Sequence, residues 1–190
     1  MIIALCGNKG AGKNTIAQLI VELFSSECEI RTIAFADPIK SAIQHIFKLE
    51  TTTDDAYDTF KRSVHQINGH SIDGRWMGRE IGMLMRSYDV NQFTAYVNAA
   101  ILQSPNSLWI VTDLRFDNEY EFLTNKQAFI MRVDRNNGDH SNNDHISERG
   151  FRDDQVDVII NNNFSKEQVK QYLKALLQEK IKTHKETKYL

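Results

Sequence analysis

Residues 7–15 read "GNKGAGKNT" and follow directly on the apolar run "MIIALC". Gly7, Gly12 and Lys13 have the spacing of a phosphate-cradling loop, G-x-x-x-x-G-K-[ST], in which glycines let several backbone N–H groups converge on phosphate oxygens. The helix that follows such a loop adds the partial positive charge of its N-terminus, and the lysine adds a full one. The phosphate-binding stretch proper would be Gly10, Ala11, Gly12, Lys13, Asn14 and Thr15. Position 14 usually carries a Ser or Thr hydroxyl that helps hold Mg²⁺. Asn14 can offer a neutral amide oxygen instead, directly or through a water, and Thr15 can still give a hydroxyl to a phosphate. Glycine-rich turns after strands also occur where nothing binds. Here strand, glycine loop, Lys and amphipathic helix come in the order that phosphate binding needs.

A second chemical group stands at "IVTD", where an apolar run ends in Asp113. In open α/β sheets ligands bind at the carboxyl ends of the strands, so Asp113 and Asn14 are the candidate Mg²⁺ ligands. The guanine-reading pattern N-K-x-D is missing, since the chain offers only "NKGA" and "NKQA". A motor-type ATPase would place Glu beside Asp113, but Leu114 follows it. A small-molecule kinase remains. Its acceptor side shows in "RWMGREIGMLMR" (75–86), read as a helix, where Arg75, Arg79 and Arg86 fall at about 0°, 40° and 20° and Ile81, Leu84 and Met85 face away. Such a stripe suits a phosphate-bearing acceptor, because guanidinium binds phosphate through a rigid fork; it equally suits a solvated face. Arg132, Arg135, Arg149 and Arg152 flank or lie in a polar stretch, where they could close on the moving phosphoryl group. His140 and His145 lack a ligand constellation, so a metal site there is rejected.

Five apolar runs must carry these groups: 2–6, 30–35, 108–112, 128–133 and 156–160. Their continuous apolar character predicts strands of a parallel sheet, buried on both faces and joined by right-handed crossovers. Helical periodicity follows the glycine loop at Ile16, Leu19, Ile20, Leu23 and Phe24. "ADPIKSAIQHIF" predicts a helix with Asp37 as N-cap and Pro38 at its first position, and capping need not exclude a substrate contact by Asp37. A capping box is expected at Asn118–Glu121 and another at Ser165–Gln168, the latter opening a helix through Val169, Leu173, Leu176, Leu177 and Ile181. The charged end "KTHKETKYL" reads as frayed. Between the second and third strands, 37–105 reads as a mostly helical insertion that would hold the acceptor. The hydrophilic stretch 134–154 is long enough to be a lid.

The expected fold is therefore α/β, one kinase domain over 1–190 with a five-stranded parallel sheet flanked by helices, a helical acceptor-binding insertion and a polar lid. Length and a hydrophobic share of 41% fit one self-sufficient core. A net charge of -2 gives no global reason to expect polymeric nucleic acid or a membrane as partner. Cys6 and Cys28 form neither a metal spacing nor a disulfide framework. With no basic leader at "MIIALC" and no long apolar run, a cytoplasmic protein is expected.

"GNKGAGKNT", "FADPIK", "VTDLRFDNE", "DHISE" and "DVIINNN" before a final helix resemble, in order, the motifs of bacteriophage-type deoxynucleoside monophosphate kinases. "TDLRFDNE" with a downstream "HISE" is the most specific part. The resemblance runs from Gly7 to about Asn163, and implies ATP with Mg²⁺, deoxynucleoside monophosphates converted to diphosphates, a homodimer, and the host cytoplasm if the gene is a phage's. By position it puts Lys13 on the donor phosphates, with Lys9 and Arg115 approaching the acceptor phosphate. Asp37, Lys40, Asp113 and Glu119 would line the acceptor site, and Arg132, Arg135, His145 and Glu148 the lid side. The family commonly has Asp at position 14, and a frequent Pro is replaced by Asp117. Positions 75–86 match loosely, best at Arg75 and Gly82. Two other readings stay open: a kinase of the same fold for another phosphorylated metabolite, as in animal-type phosphomevalonate kinase, and a nucleotide-binding regulatory domain without turnover.

Overall fold

The structure is a computed structural model and describes residues 1–47, 59–67, 69–135 and 151–186. It divides into two compact units, one formed by residues 1–34 with 97–190 and the other by 35–96.

The first unit is built on a five-stranded parallel sheet. Its strands are β1 (Ile2–Cys6), β2 (Ile30–Ile33), β5 (Leu108–Val111), β6 (Phe129–Asp134) and β7 (Val158–Asn161), in the order β2-β5-β1-β6-β7. β1 lies at the centre, with Ala4 opposite Val111 on one side and Ile130 on the other. All five runs read as strands from their apolar character form strands here. Burial on both faces holds for β1 and β5 throughout. It fails at the two edges, where Arg31, Thr32, Ile159 and Asn161 are exposed, because an edge strand has a neighbour on one side only.

Helix α1 (Lys13–Phe24) buries Ile16, Leu19, Ile20 and Phe24 against β1 residues Ile3 and Leu5. On the same core lies the helix Lys166–Glu186, which buries Val169, Leu173, Leu177 and Ile181, the spacing expected of it. Its capping box forms as expected, with the Ser165 N–H donating to Gln168 Oε1 at 3.1 Å and the Gln168 N–H to Ser165 Oγ at 3.3 Å. The helix runs on through "KTHKE" to Glu186, further than a frayed end would, while residues 187–190 lie outside the described chain. A shorter helix, Asp117–Asn125, follows β5 and buries Leu123 and Glu119. Its start differs from expectation. The N-cap is Phe116, and Glu119 rather than Glu121 reaches back to the free N–H groups, since Asn118 already lies inside the first turn.

In the second unit, helix α2 (Asp37–Ile46) starts one residue earlier than predicted, with Ala36 as N-cap accepting from the Lys40 N–H at 3.0 Å. Asp37 is therefore not the cap; its carboxylate pairs with Lys40 at 2.8 Å. The stretch 37–105 is mostly helical among its described residues, as expected, but it also holds two short strands. Val64–Ile67 (β3) and His70–Asp73 (β4) form an antiparallel hairpin turning at Gly69, whose φ of 80° only glycine adopts easily. The "NG" dipeptide between two short alternating segments is the hairpin signal that explains it. Asp73 then caps α3 (Gly74–Tyr88), accepting from the Arg75 N–H at 2.6 Å and the Trp76 N–H at 3.2 Å. The next helix is α4 (Gln92–Gln103), so the helices Asp117–Asn125 and Lys166–Glu186 are α5 and α6.

Candidate active site

The glycine loop leaves β1 at Gly7, where φ is 127° and a Cβ would collide with the Val133 carbonyl of the neighbouring β6. Glycine is therefore required here by close backbone approach as well as by conformation. Gly10 and Gly12 also take positive φ, 78° and 97°, and the Ala11 N–H closes a turn onto the Asn8 carbonyl at 3.2 Å. Lys13 opens α1 and folds its ammonium back over this loop, donating to the Gly7 carbonyl at 2.7 Å and the Asn8 carbonyl at 3.0 Å. Lys9, Gly10, Asn14 and Thr15 are exposed around it, and Ala11 is buried beneath. Cys6, at the end of β1, is buried, and that burial pushes its thiol up to about 11, against the opposing pull of Arg132 and Lys13. It stays a protonated thiol.

The chain leaves the adjacent strand β5 through Thr112 and Asp113, then returns to β1 with the Leu114 N–H on the Leu5 carbonyl at 3.1 Å. Asp113, half-buried, thus lies at the carboxyl edge of the sheet that also bears the glycine loop. Arg115 is exposed on the turn that follows, and this turn is held by Glu119. The Glu119 carboxylate is 1% exposed and its Oε2 accepts the N–H groups of Arg115 at 3.0 Å and Phe116 at 3.2 Å. The same oxygen thereby caps α5 and fixes the peptide that carries Arg115.

Arg132, on β6, is engaged on all sides. It donates to Asp134 through Nε at 3.1 Å and to the Phe151 carbonyl at 3.0 Å, and it pairs with Asp153 at 2.6 Å. Burial works against its charge, but the Asp134 and Asp153 carboxylates outweigh it and hold its pKa above the ordinary value. Arg135 is exposed, and Arg152 pairs with Asp154 at 3.1 Å. His140, His145, Glu148 and Arg149, with most of the expected lid, lie at 136–150, outside the described residues.

The second unit carries the expected acceptor residues Asp37, Lys40, Arg75 and Arg79. The Asp37–Lys40 pair has Tyr96 beside it: burial first, then the Asp37 carboxylate, raise the Tyr96 phenol above its ordinary pKa. No sequence pattern marked Tyr96. Three arginines on α3 do not form one exposed row. Gly82 is buried against Ile39, and Arg75 and Arg86 flank this inward face half-buried, with the Arg86 guanidinium 4.4 Å from the centre of the Phe93 ring. Arg79 is exposed, and so is Leu84 at 57%, where the periodicity had turned apolar residues away from the arginines. Gly82 allows this close approach to α2, since a Cβ there would press on Ile39.

Among the described residues no group of three or more His, Cys, Asp or Glu could hold a metal by itself, and no helix is long and apolar enough to cross a membrane. A cavity of about 630 Å³ opens at the opposite end of the sheet, lined in part by Ile2, Trp109 and Phe129 where their strands begin. It is remote from the carboxyl edge and its loops.

A parallel sheet with a glycine loop, lysine and helix leaving its central strand, and an acid just beyond the end of the neighbouring strand, defines a P-loop kinase architecture. The sequence profile of the deoxynucleotide monophosphate kinases matches residues 1–101 and 86–173. The chain belongs to the deoxynucleotide monophosphate kinase family, and with it to the nucleotide kinases. A protein of Acanthamoeba polyphaga mimivirus, provisionally named a deoxynucleotide monophosphate kinase, is 24% identical over 176 residues, covering 86% of this chain and 89% of its own. Two solved structures are similar over most of their length. A sugar kinase from Janibacter sp. HTCC2649 has a TM-score of 0.46 at 13% identity, covering 93% of this chain and 94% of its own. Dephospho-CoA kinase from Campylobacter jejuni has a TM-score of 0.45 at 14% identity, covering 94% and 96%. The fold rests on the strand order, not on these scores.

Proposed function

We propose that this protein transfers the γ-phosphoryl group of ATP to the 5′-phosphate of a deoxynucleoside monophosphate, yielding the diphosphate and ADP. The observation that carries the proposal is the glycine loop with Lys13 folded over it, at the same sheet edge as Asp113 and Arg115. Lys13 reaches two carbonyls of the loop's first turn, so a small rearrangement would exchange them for β- and γ-phosphate oxygens. The attacking oxygen of the acceptor is already anionic. No general base is required, and catalysis is positioning with charge stabilisation. Arg115, carried by the turn that Glu119 fixes, would be the cation that meets the acceptor phosphate.

The donors at the loop are hard oxygens, a half-buried carboxylate at Asp113 and an exposed amide at Asn14, and these fit Mg²⁺ rather than a softer metal. Mg²⁺ commonly keeps waters and takes phosphate oxygens, so two protein donors suffice. When bound, it would neutralise charge developing on the transferred group.

The test is ADP release in a coupled assay across the deoxynucleoside monophosphates, the ribonucleoside monophosphates and phosphomevalonate. Turnover with one or more deoxynucleotides well above the other acceptors supports the proposal. A preference for phosphomevalonate, or ATP binding with no acceptor turned over, overturns it.

A further inference from the structure

Asn162 stands one residue beyond β7, in no position that a phosphate-loop motif would mark, yet it reaches the loop. Its Nδ2 donates to the Ala11 carbonyl at 2.7 Å, a bond that joins positions far apart in the chain. A Cβ at Gly12 would collide with the same Nδ2. Asn162 is itself fixed by the sheet, because its backbone N–H donates to the Asp134 carbonyl at 2.8 Å where β7 ends beside β6.

The Ala11 carbonyl and the Gly12 N–H belong to one peptide plane, and in a trans peptide they point in opposite directions. Among the described residues no peptide is cis, and Gly12 has a φ of 97°. Glycine populates positive and negative φ about equally, so the 11–12 peptide could turn over at little conformational cost. Turned over, it would present a carbonyl oxygen to an anion in place of an N–H. The bond from Asn162 opposes that rotation.

We propose that Asn162 is a positioning residue of the phosphate loop: by holding the Ala11 carbonyl from behind, it keeps the Gly12 N–H directed to the opposite side, where the donor phosphates bind. This rests on the reading that the loop holds the phosphates of ATP. The chemistry selects Asn over Asp, since only the amide can donate to a carbonyl. A carboxylate of the same shape would face the carbonyl as a second acceptor and add negative charge behind the phosphates.

Asn162→Ala and Asn162→Asp, with wild type and Lys13→Ala alongside, would be titrated with ATP by calorimetry, and the KM values for ATP and acceptor would be measured. ATP affinity is expected to fall about five- to tenfold in Asn162→Ala, as for loss of one hydrogen bond that orients a donor. The loss in Asn162→Asp is expected to be larger, at about a hundredfold, with acceptor KM within about twofold of wild type in both. The readout that a merely structural bond would leave unmoved is the Gly12 amide resonance in ¹⁵N-labelled protein. ATP should displace its proton downfield in wild type and displace it much less in Asn162→Ala. Should the Asp variant fail to fold, the Ala variant and this resonance decide. Wild-type ATP affinity and an unchanged Gly12 displacement in Asn162→Ala would overturn the inference while leaving the loop's role intact. Absence of ATP binding in wild type would instead overturn the reading on which it rests.

Discussion

Replacing Glu119 tests whether the turn bearing Arg115 is built for its task. Glu119 is 1% exposed, and one carboxylate oxygen accepts two backbone N–H groups, at 3.0 and 3.2 Å. Charge-assisted hydrogen bonds contribute about 1.5–3 kcal/mol each, less here because the acceptor is shared and because a buried carboxylate bears a desolvation cost. Glu119→Ala removes both bonds and the cap of α5, so a loss of about 2–4 kcal/mol is expected. For a chain of this size that lowers Tm by roughly 4–16 °C. Glu119→Gln can place a neutral oxygen at the same point and should lose about 1 kcal/mol, roughly 2–4 °C. Urea denaturation and thermal melting give the stability; steady-state kinetics on the Gln variant, which keeps the fold, give the function. Because Arg115 moves with this turn, the acceptor KM should rise several-fold while the ATP KM holds. A Glu119→Ala protein that melts within about 1 °C of wild type with unchanged acceptor KM would refute the reasoning.

Lys13→Ala should lower kcat by at least about a hundredfold, the scale seen when a transition-state charge partner is removed, with little change in melting temperature. A near-wild-type kcat in the folded variant would remove Lys13 from the site. Asn14→Ser should stay active, whereas Asp113→Ala should raise the free Mg²⁺ needed for half-maximal rate; rate against free Mg²⁺ at saturating ATP distinguishes the two, and the reverse pattern counts against Asp113 as ligand. The N–H groups of Trp76 and Arg75, in that order, hold the Asp73 carboxyl below its ordinary pKa of 3.8. A depressed folded pKa stabilises above the unfolded value and is lost as pH falls through the folded one. Asp73→Ala should therefore destabilise by about 1 kcal/mol at pH 7, as N-cap removal does, and progressively less in urea titrations carried below pH 4. A difference independent of pH would mean the cap bonds are not what Asp73 contributes.

The parallel sheet was legible because β1 and β5 are apolar without interruption, a pattern that burial on two faces imposes. α6 was legible for a similar reason, since its capping box and its four buried positions are all local signals. The glycine loop could be read from spacing alone, because each of its glycines answers a backbone requirement. The hairpin 64–73 was missed, as its segments are only four residues long and too polar to stand out from helical neighbours. The facing of α3 turned on Gly82 approaching Ile39, a contact with a residue of another helix that no periodicity contains. Asn162 shows the same limit. Its partner Ala11 is adjacent only once β6 and β7 are paired, and an asparagine after a strand carries no mark of what it will touch.

Arg132 joins both ends of the stretch between Arg135 and Phe151. It grips Asp134 on the near side, and the Phe151 carbonyl and Asp153 on the far side. Phe151 also stacks on Tyr120 with ring centres 5.1 Å apart, and the Asp157 N–H donates to the Ile130 carbonyl at 2.9 Å. The peptide bonds across that stretch are thus not what keeps the C-terminal part in place. β7 is held by β6, and α6 by the buried Val169, Leu173, Leu177 and Ile181. The contacts on the two sides of that stretch are complementary enough to hold the parts together without it. Two pieces, residues 1–135 and 151–190, co-expressed as separate chains, would find each other through the sheet and the α1–α6 contact.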